Sequence, residues 1–253
     1  MSIRPPVEPS AAVEPALIPS SEKEIALPLS IPFWKRALDL SLVFLTCPVW
    51  LPIVVVIAGW IAVISPGPIF FRQERIGFGR RRFRIFKFRT MKVAADTCAH
   101  DSHVDELMAS NRPLTKLDAI GDPRLIPGGA FLRAAGLDEL PQIANVIWGE
   151  MSIVGPRPCT VHEYGRYSPW QRARADGVPG LTGYWQVNGK NKTTFSEMIA
   201  MDLFYVTNAS LRLDLLIILK TIPAVWQQVV ERKKRPDETS PEALPAIVTF
   251  KKP

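Results

Sequence analysis

LSLVFLTCPVWLPIVVVIAGWIAVISPGPIFF, residues 40–71, contains no charged side chain. The window from Leu40 to Ile64 alone exceeds the ~20 apolar residues that a bilayer-spanning helix requires. A single transmembrane helix is the simplest reading. Two features favour another. Pro48 and Pro52 lie inside the run, and each removes a backbone donor and promotes a bend. Basic residues also flank both ends: Lys35 and Arg36 before it, and Arg72, Arg75, Arg80, Arg81, Arg82 and Arg84 after it. Positive charge marks the cytoplasmic side of a membrane segment. A helix that enters the bilayer, bends at Pro48 and returns to the same face satisfies both flanks. Trp50 and Trp60 suit either geometry.

Outward from this run, the 253-residue chain divides into four parts. Residues 1–32 hold seven prolines among Ser, Ala and Glu without an apolar period and read as a solvated tail. Residues 33–71 are the membrane element, 72–230 a soluble-looking body, and 231–253 a second flexible tail. With 47% hydrophobic residues the chain is not wholly disordered. Cys47, Cys98 and Cys159 are too widely spaced for a disulfide framework or a cysteine-based zinc module. Three histidines, His100, His103 and His162, do not suggest a zinc site either. The formal net charge of +7 has one source. Residues 72–92 contain nine Lys/Arg against Glu74 alone, so the rest of the chain is slightly acidic. A basic block directly after a membrane run favours lipid headgroups over nucleic acid.

Within the body, FRIFKFRTM (83–91) alternates apolar and basic residues, which predicts a short strand with a charged face. LDELPQIANVIW (137–148) predicts a helix starting near Asp138, because Pro141 fits only a first turn, with Leu137, Leu140, Ala144 and Ile147 on one face. LRLDLLIILKTIPAVWQQVV (211–230) reads as an amphipathic pair of interfacial helices or as core.

The chemistry centres on the adjacent carboxylates Asp138 and Glu139. Acidic residues in a first turn commonly do no more than complement the helix dipole. Here Arg133 lies upstream, Arg157 follows inside GPRP (155–158), and Lys87 and Arg89 come from the FKFRTM segment. Carboxylates gathered with several cations suit a metal-bound phosphate, with a carboxylate ligating Mg²⁺ or attacking phosphorus. PGLTGYWQVNGKN (179–191) is a Gly-containing turn that is either structural or able to bring backbone amides to a nucleotide.

Together, WKRALDLSLVFLTCPVWLP, FKFRTM, LDELPQIANVIWGEMSIVGPRP, PGLTGYWQVNGKN and MDLFYVTN resemble the bacterial sugar transferase family, the monotopic polyprenyl-phosphate phosphoglycosyl transferases, over about residues 33–230. The resemblance implies an α/β, mainly helical protein. It would be monotopic, with an N-terminal re-entrant, Pro-kinked membrane helix, interfacial amphipathic helices and a small cytoplasmic catalytic body. It implies transfer of sugar-1-phosphate from a UDP-sugar to polyprenyl (undecaprenyl) phosphate at the cytoplasmic face of the bacterial inner membrane, with both termini cytoplasmic. On this basis Asp138 is the nucleophile and Glu139 its partner, both at a Mg²⁺ ion. Lys87, Arg89, Arg133 and Arg157 hold phosphate. Pro158, Pro179, Gly180, Thr182, Gly183, Gln186 and Asn188 form the nucleotide side, and Cys47-Pro48 the membrane kink. Family members often form homodimers.

Three positions depart from the family pattern: Cys47 where Ser commonly precedes the proline, Gly136 where Ser often precedes LDEL, and Glu150 where Asp is usual. Gly136 is an acceptable N-cap. Two other functions compete: a membrane-bound, Mg-dependent phosphohydrolase or nuclease using the same acidic pair, and a non-catalytic lipid-binding adaptor.

Overall fold

The computed structural model describes residues 30–92, 104–108, 110, 112–114, 124–189 and 192–234. Most of both tails, Cys98, His100 and His103 lie outside the described residues.

Helix α1 (Phe33–Ile64) is continuous through Pro48 and Pro52. At ~1.5 Å per residue it is ~48 Å long if straight, well beyond the ~30 Å hydrocarbon core. It is the one described helix long and apolar enough to cross a membrane. Two side chains bond back onto its carbonyls near the prolines. Thr46 Oγ1 donates to Leu42 O at 2.6 Å and Trp50 Nε1 donates to Val43 O at 2.9 Å. Hydroxyl back-bonding of this kind bends helices, and it falls to Thr46, next to the Cys47 that the sequence pattern singled out.

One face of α1 is buried and the rest is apolar and exposed. Lys35, Asp39 and Val43 are buried in the first turns, and Ile57 and Ile61 in the last. Val43 packs with Phe83, Ile85, Val146 and Met151; Ile57 and Ile61 pack with Phe88, Ile126 and Leu132. Both ends therefore rest on the same body, while Phe44, Leu45, Val49, Val55, Val56 and Val63 project outward.

The body is mostly helical with two small sheets. Strands β1 (Phe70–Ile76) and β2 (Arg82–Phe88) form an antiparallel hairpin in register Gln73↔Ile85, and β4 (Cys159–Thr160) pairs with the other edge of β1. Strands β3 (Ser152–Val154) and β5 (Gly180–Thr182) pair in parallel. Short helices α2 (Gly129–Ala135), α3 (Ile143–Trp148), α4 (Val161–Arg166), α5 (Pro169–Arg172) and α6 (Tyr184–Asn188) fill the connections. The longer α7 (Phe195–Asn208) and α8 (Leu211–Lys234) close the fold.

Two expectations about helices change. The 211–230 segment is one helix, not a pair, and it continues past Pro223. Its buried side carries Asp214 and Ile217, whereas Leu211, Leu215, Leu219, Ile222 and Trp226, spaced three or four apart, are exposed along one stripe. The 137–148 segment starts as a 3₁₀ turn (Leu137–Gln142) before α3. The tighter winding rotates the buried face onto Asp138, Gln142, Asn145 and Val146, while Ile147 is exposed and Leu137, Leu140 and Ala144 are half-buried.

The basic pair in the first turn of α1 is engaged in protein contacts. Lys35 Nζ donates to Asp214 Oδ2 at 2.7 Å, Tyr205 Oη at 2.8 Å and Val154 O at 2.8 Å. Arg36 donates to the carbonyls of Val146 and Ile147 at the C-terminal end of α3, where a cation complements the helix dipole. Asp39 Oδ1 accepts from Ser152 Oγ and Ile153 N, both at 2.9 Å. The polar start of α1 is thus bolted to β3, α3, α7 and α8.

Candidate functional site

Helix α2 ends at Gly136, whose φ of +70° lies in the left-handed region. Its N–H caps the α2 carbonyls of Leu132 and Arg133, a geometry that glycine adopts at little cost. Gly136 is therefore a C-terminal cap as much as a helix start, which gives this departure from Ser a conformational reason. The chain turns at once into the 3₁₀ segment, so Asp138 and Glu139 follow the cap without slack. The dipole of so short an element is small, and the local charges dominate.

Strand β2 delivers the first cation. Its alternation turns Phe83 and Ile85 into the core, and Lys87 lies on that same face. Lys87 Nζ reaches Glu139 Oε1 at 2.7 Å, with both side chains largely shielded. The GPRP segment between β3 and β4 delivers the second: Arg157 Nη1 donates to the same Glu139 oxygen at 3.3 Å. Asn145, fully buried, fixes the spacing of α3 and β2 by donating to Arg84 O at 2.8 Å and accepting from Phe86 N at 3.2 Å. Glu150 accepts from Asn145 Nδ2 at 2.7 Å, so the longer carboxylate braces this clamp and does not join Glu139.

Electrostatics follow from burial. Asp138 is buried, which raises its carboxyl above the usual aspartate range, an effect that Lys87 partly offsets. Burial lowers Lys87, and Glu139 opposes that shift. Arg157 is pushed up, chiefly by Glu139. Arg133, in the last turn of α2, adds a positive field at Asp138. A small depression opens here, lined among others by Arg75, Lys87, Glu139, Gln142, Arg157 and Gly180.

Other predicted residues sit elsewhere. Arg89 turns to the end of α1, donating from Nε to Pro68 O at 2.6 Å and from Nη2 and Nη1 to Ser65 O and Oγ at 2.6 and 3.1 Å. The strand has ended at Phe88, so the alternation that aims Lys87 no longer governs Arg89. The nucleotide segment splits. Pro158 and Gly180 line the depression, whereas Thr182 bonds Thr221 at 2.9 Å and Asn188 accepts from Lys220 at 3.0 Å, both on α8. Gln186 Nε2 donates to Leu181 O at 3.3 Å. Pro179 is buried, its carbonyl accepting from Ser152 N at 2.8 Å. The glycines serve backbone packing: a Cβ on Gly180 or Gly183 would stand 2.0 or 2.3 Å from Gly155 backbone atoms. The segment is a strand and a helix, not a cradle-like loop. Cys47 is a half-buried thiol in α1.

The sequence model for bacterial sugar transferases matches residues 31–228, a span that contains α1, the Asp138–Glu139 turn and GPRP. The chain belongs to the bacterial sugar transferase family. This sugar transferase is 38% identical over 191 residues to the exopolysaccharide production protein ExoY of Sinorhizobium fredii, covering 76% of the chain and 84% of ExoY. It is 39% identical over 199 residues to a UDP-glucose:undecaprenyl-phosphate glucose-1-phosphate transferase of Caulobacter vibrioides, covering 76% and 69%. It is 42% identical over 160 residues to the galactosyl transferase CpsE of Streptococcus agalactiae, covering 63% of the chain and 35% of CpsE.

Reasoning from sequence missed three residues of this sugar transferase: Arg75, Gln142 and Asn145. The signal for Arg75 was available. In the β1–β2 hairpin Arg75 stands opposite Phe83 and Gln73 opposite Ile85, so both share the inward face with Lys87.

Proposed function

We propose that this chain transfers sugar-1-phosphate from a UDP-sugar to polyprenyl (undecaprenyl) phosphate and releases UMP. The observation that carries the reading is Glu139 held between Lys87 and Arg157, with Asp138 buried beside it, in a family whose relatives include a UDP-glucose:undecaprenyl-phosphate glucose-1-phosphate transferase. Asp138 Oδ attacks the β-phosphorus, the bond from that phosphorus to the bridging oxygen breaks, and UMP departs with the electron pair. A phosphate oxygen of the polyprenyl acceptor then attacks the aspartyl-bound phosphorus, expelling the carboxylate and forming the lipid diphosphate sugar.

Lys87 and Arg157 orient Glu139 and meet the charge that develops on the phosphoryl oxygens. Among the described residues no group of three acidic, His or Cys side chains forms a metal cage. Two adjacent carboxylates beside a cation-lined depression nevertheless fit Mg²⁺, which is commonly bound by one or two carboxylates together with substrate phosphates. Asp138 and Glu139 would hold the ion, which would neutralise diphosphate charge.

The membrane reading belongs to the same proposal. The chain enters one leaflet at the cytoplasmic face of the inner membrane, with α1 re-entrant about Pro48 and α8 lying at the interface. Supporting it are the seating of both α1 ends on one body, the back-bonds of Thr46 and Trp50, and the outward apolar stripe of α8. This arrangement holds Asp138 at headgroup depth, where the acceptor phosphate lies.

The test is label transfer in membranes containing Mg²⁺, undecaprenyl phosphate and a panel of radiolabelled UDP-sugars. Label should enter the lipid phase and vanish with Asp138→Asn. Acceptor-independent release of soluble sugar phosphate would instead identify a hydrolase, and silence across the panel an adaptor.

A further inference from the structure

Arg75 reads in the sequence as one of the basic residues next to the membrane, but it is 7% exposed and lines the depression beside Ile85 and Lys87. Its guanidinium is fixed at two points. Nη1 donates to Pro158 O at 2.9 Å and Nη2 to Gln73 Oε1 at 2.7 Å. A guanidinium carries five N–H donors, and Nε is buried without a hydrogen-bond partner. Leaving a charged donor unmet is costly, and such a group in a native fold calls for a ligand or a role. The neighbours are cationic as well: Lys87 and Arg157 line the same depression, with the carboxylates of Glu139, Asp138 and Glu163 acting on this group. The oxygens of a diphosphate would supply acceptors to all three cations.

We propose that Arg75 is a diphosphate-binding residue of this site, completing with Lys87 and Arg157 a three-cation wall for the nucleoside diphosphate of the donor. The assignment rests on the UDP-sugar reading above and adds a residue to it. The anchors on Pro158 and Gln73 orient the planar fork before substrate arrives, so little side-chain freedom is lost on binding. The Pro158 contact also couples Arg75 to the segment that presents Arg157.

The experiment measures binding of labelled UDP to the full chain in nanodiscs with Mg²⁺, and displacement by inorganic pyrophosphate. The variants are Arg75→Gln, Arg75→Lys and, as an exposed basic control, Arg81→Gln. Arg75→Gln should weaken both UDP and pyrophosphate by about 10–100-fold. Arg75→Lys keeps charge but not the fork and should weaken both by about 3–10-fold. Arg81→Gln should bind as wild type does. Unchanged UDP affinity in Arg75→Gln overturns the proposal. So does weakened UDP with wild-type pyrophosphate affinity, because Arg75 would then shape the uridine side alone. Should Arg75→Gln fail to fold, wild-type affinities in Arg75→Lys overturn it instead. Wild-type protein that binds neither probe sinks the UDP-sugar reading itself, an outcome distinct from failure at Arg75 alone.

Discussion

Lys35 in the first turn of α1 and Asp214 in the first turn of α8 meet at 2.7 Å, both buried, across 179 positions of sequence. Tyr205 Oη closes the group by donating to Asp214 Oδ1 at 2.6 Å. A buried ion pair is poor evidence of net stabilisation, because desolvation offsets much of the attraction. Its effect here is to set register: α1 can dock on the body only where these groups align.

Breaking one side of that pair should therefore cost more than replacing both. Lys35→Met leaves Asp214 buried without its cation and should destabilise the detergent-solubilised protein by about 3–5 kcal/mol. Lys35→Met combined with Asp214→Leu should recover most of that loss. Thermal unfolding of the two variants is the check, and a double variant no more stable than the single would count against the ion pair as the cause.

The pH dependence of transfer follows from two opposed burial effects. As the proposed nucleophile Asp138 would attack only as carboxylate, and burial lifts its pKa above the ordinary 3.8. As pH falls, activity should thus fail at a higher pH than a solvent-exposed aspartate would dictate. In the proposed role Lys87 has to stay charged, and burial lowers its pKa below 10.5, so the alkaline limb should begin earlier than for a free lysine. In Lys87→Arg that limb should disappear, since a guanidinium does not lose its proton in this range. An initial-rate profile that retains the limb in Lys87→Arg would reassign it to another group.

Two glycines should respond differently to alanine. At Gly180 the added Cβ would lie 2.0 Å from Gly155 N and 2.6 Å from Thr182 O, both backbone, so β3 and β5 must separate. Gly180→Ala should cost at least about 3 kcal/mol and abolish activity. At Gly136 there is open space but φ is +70°, so Gly136→Ala should cost about 1–2 kcal/mol. Gly136→Asn should cost less, because a short polar side chain tolerates that region. Denaturation midpoints of the three variants decide the order.

The elements that sequence exposes best are those with a strong period or a long uniform run. Helix α1 announces itself by composition and β2 by alternation, and the alternation puts Lys87 on the inward face. What sequence conceals is where charged residues go once the chain is folded. Of the nine basic residues in 72–92, Arg75 and Arg89 are buried and Lys87 is half-buried. Lys35 and Arg36 likewise serve internal contacts. Hydropathy cannot separate a lysine aimed at lipid from one aimed at Asp214, because the difference lies in a partner 179 residues away. The glycines of 179–189 mislead for the same reason. They permit close backbone approach, and only the fold shows that the approaching backbone is Gly155.

The disposition of α1 yields the most discriminating test. A straight span would carry Ser30 and Lys92 to opposite sides of the membrane, whereas a re-entrant helix keeps both on the cytoplasmic side. Both residues are exposed and flank the membrane element. Because both ends of α1 pack on one body, crossing would require one of its two docking clusters, around Val43 or around Ile57 and Ile61, to be abandoned. Single cysteines at Ser30 and Lys92, in a chain with Cys47, Cys98 and Cys159 changed to serine, can be probed with an impermeant maleimide. Both should be unreactive in intact spheroplasts and reactive after permeabilisation. Ser30→Cys labelled from outside while Lys92→Cys stays protected would establish a transmembrane span. Replacing Pro48 and Pro52 with leucine should shift the Ser30 position toward that external pattern, because an unkinked apolar helix of ~48 Å can cross the ~30 Å core.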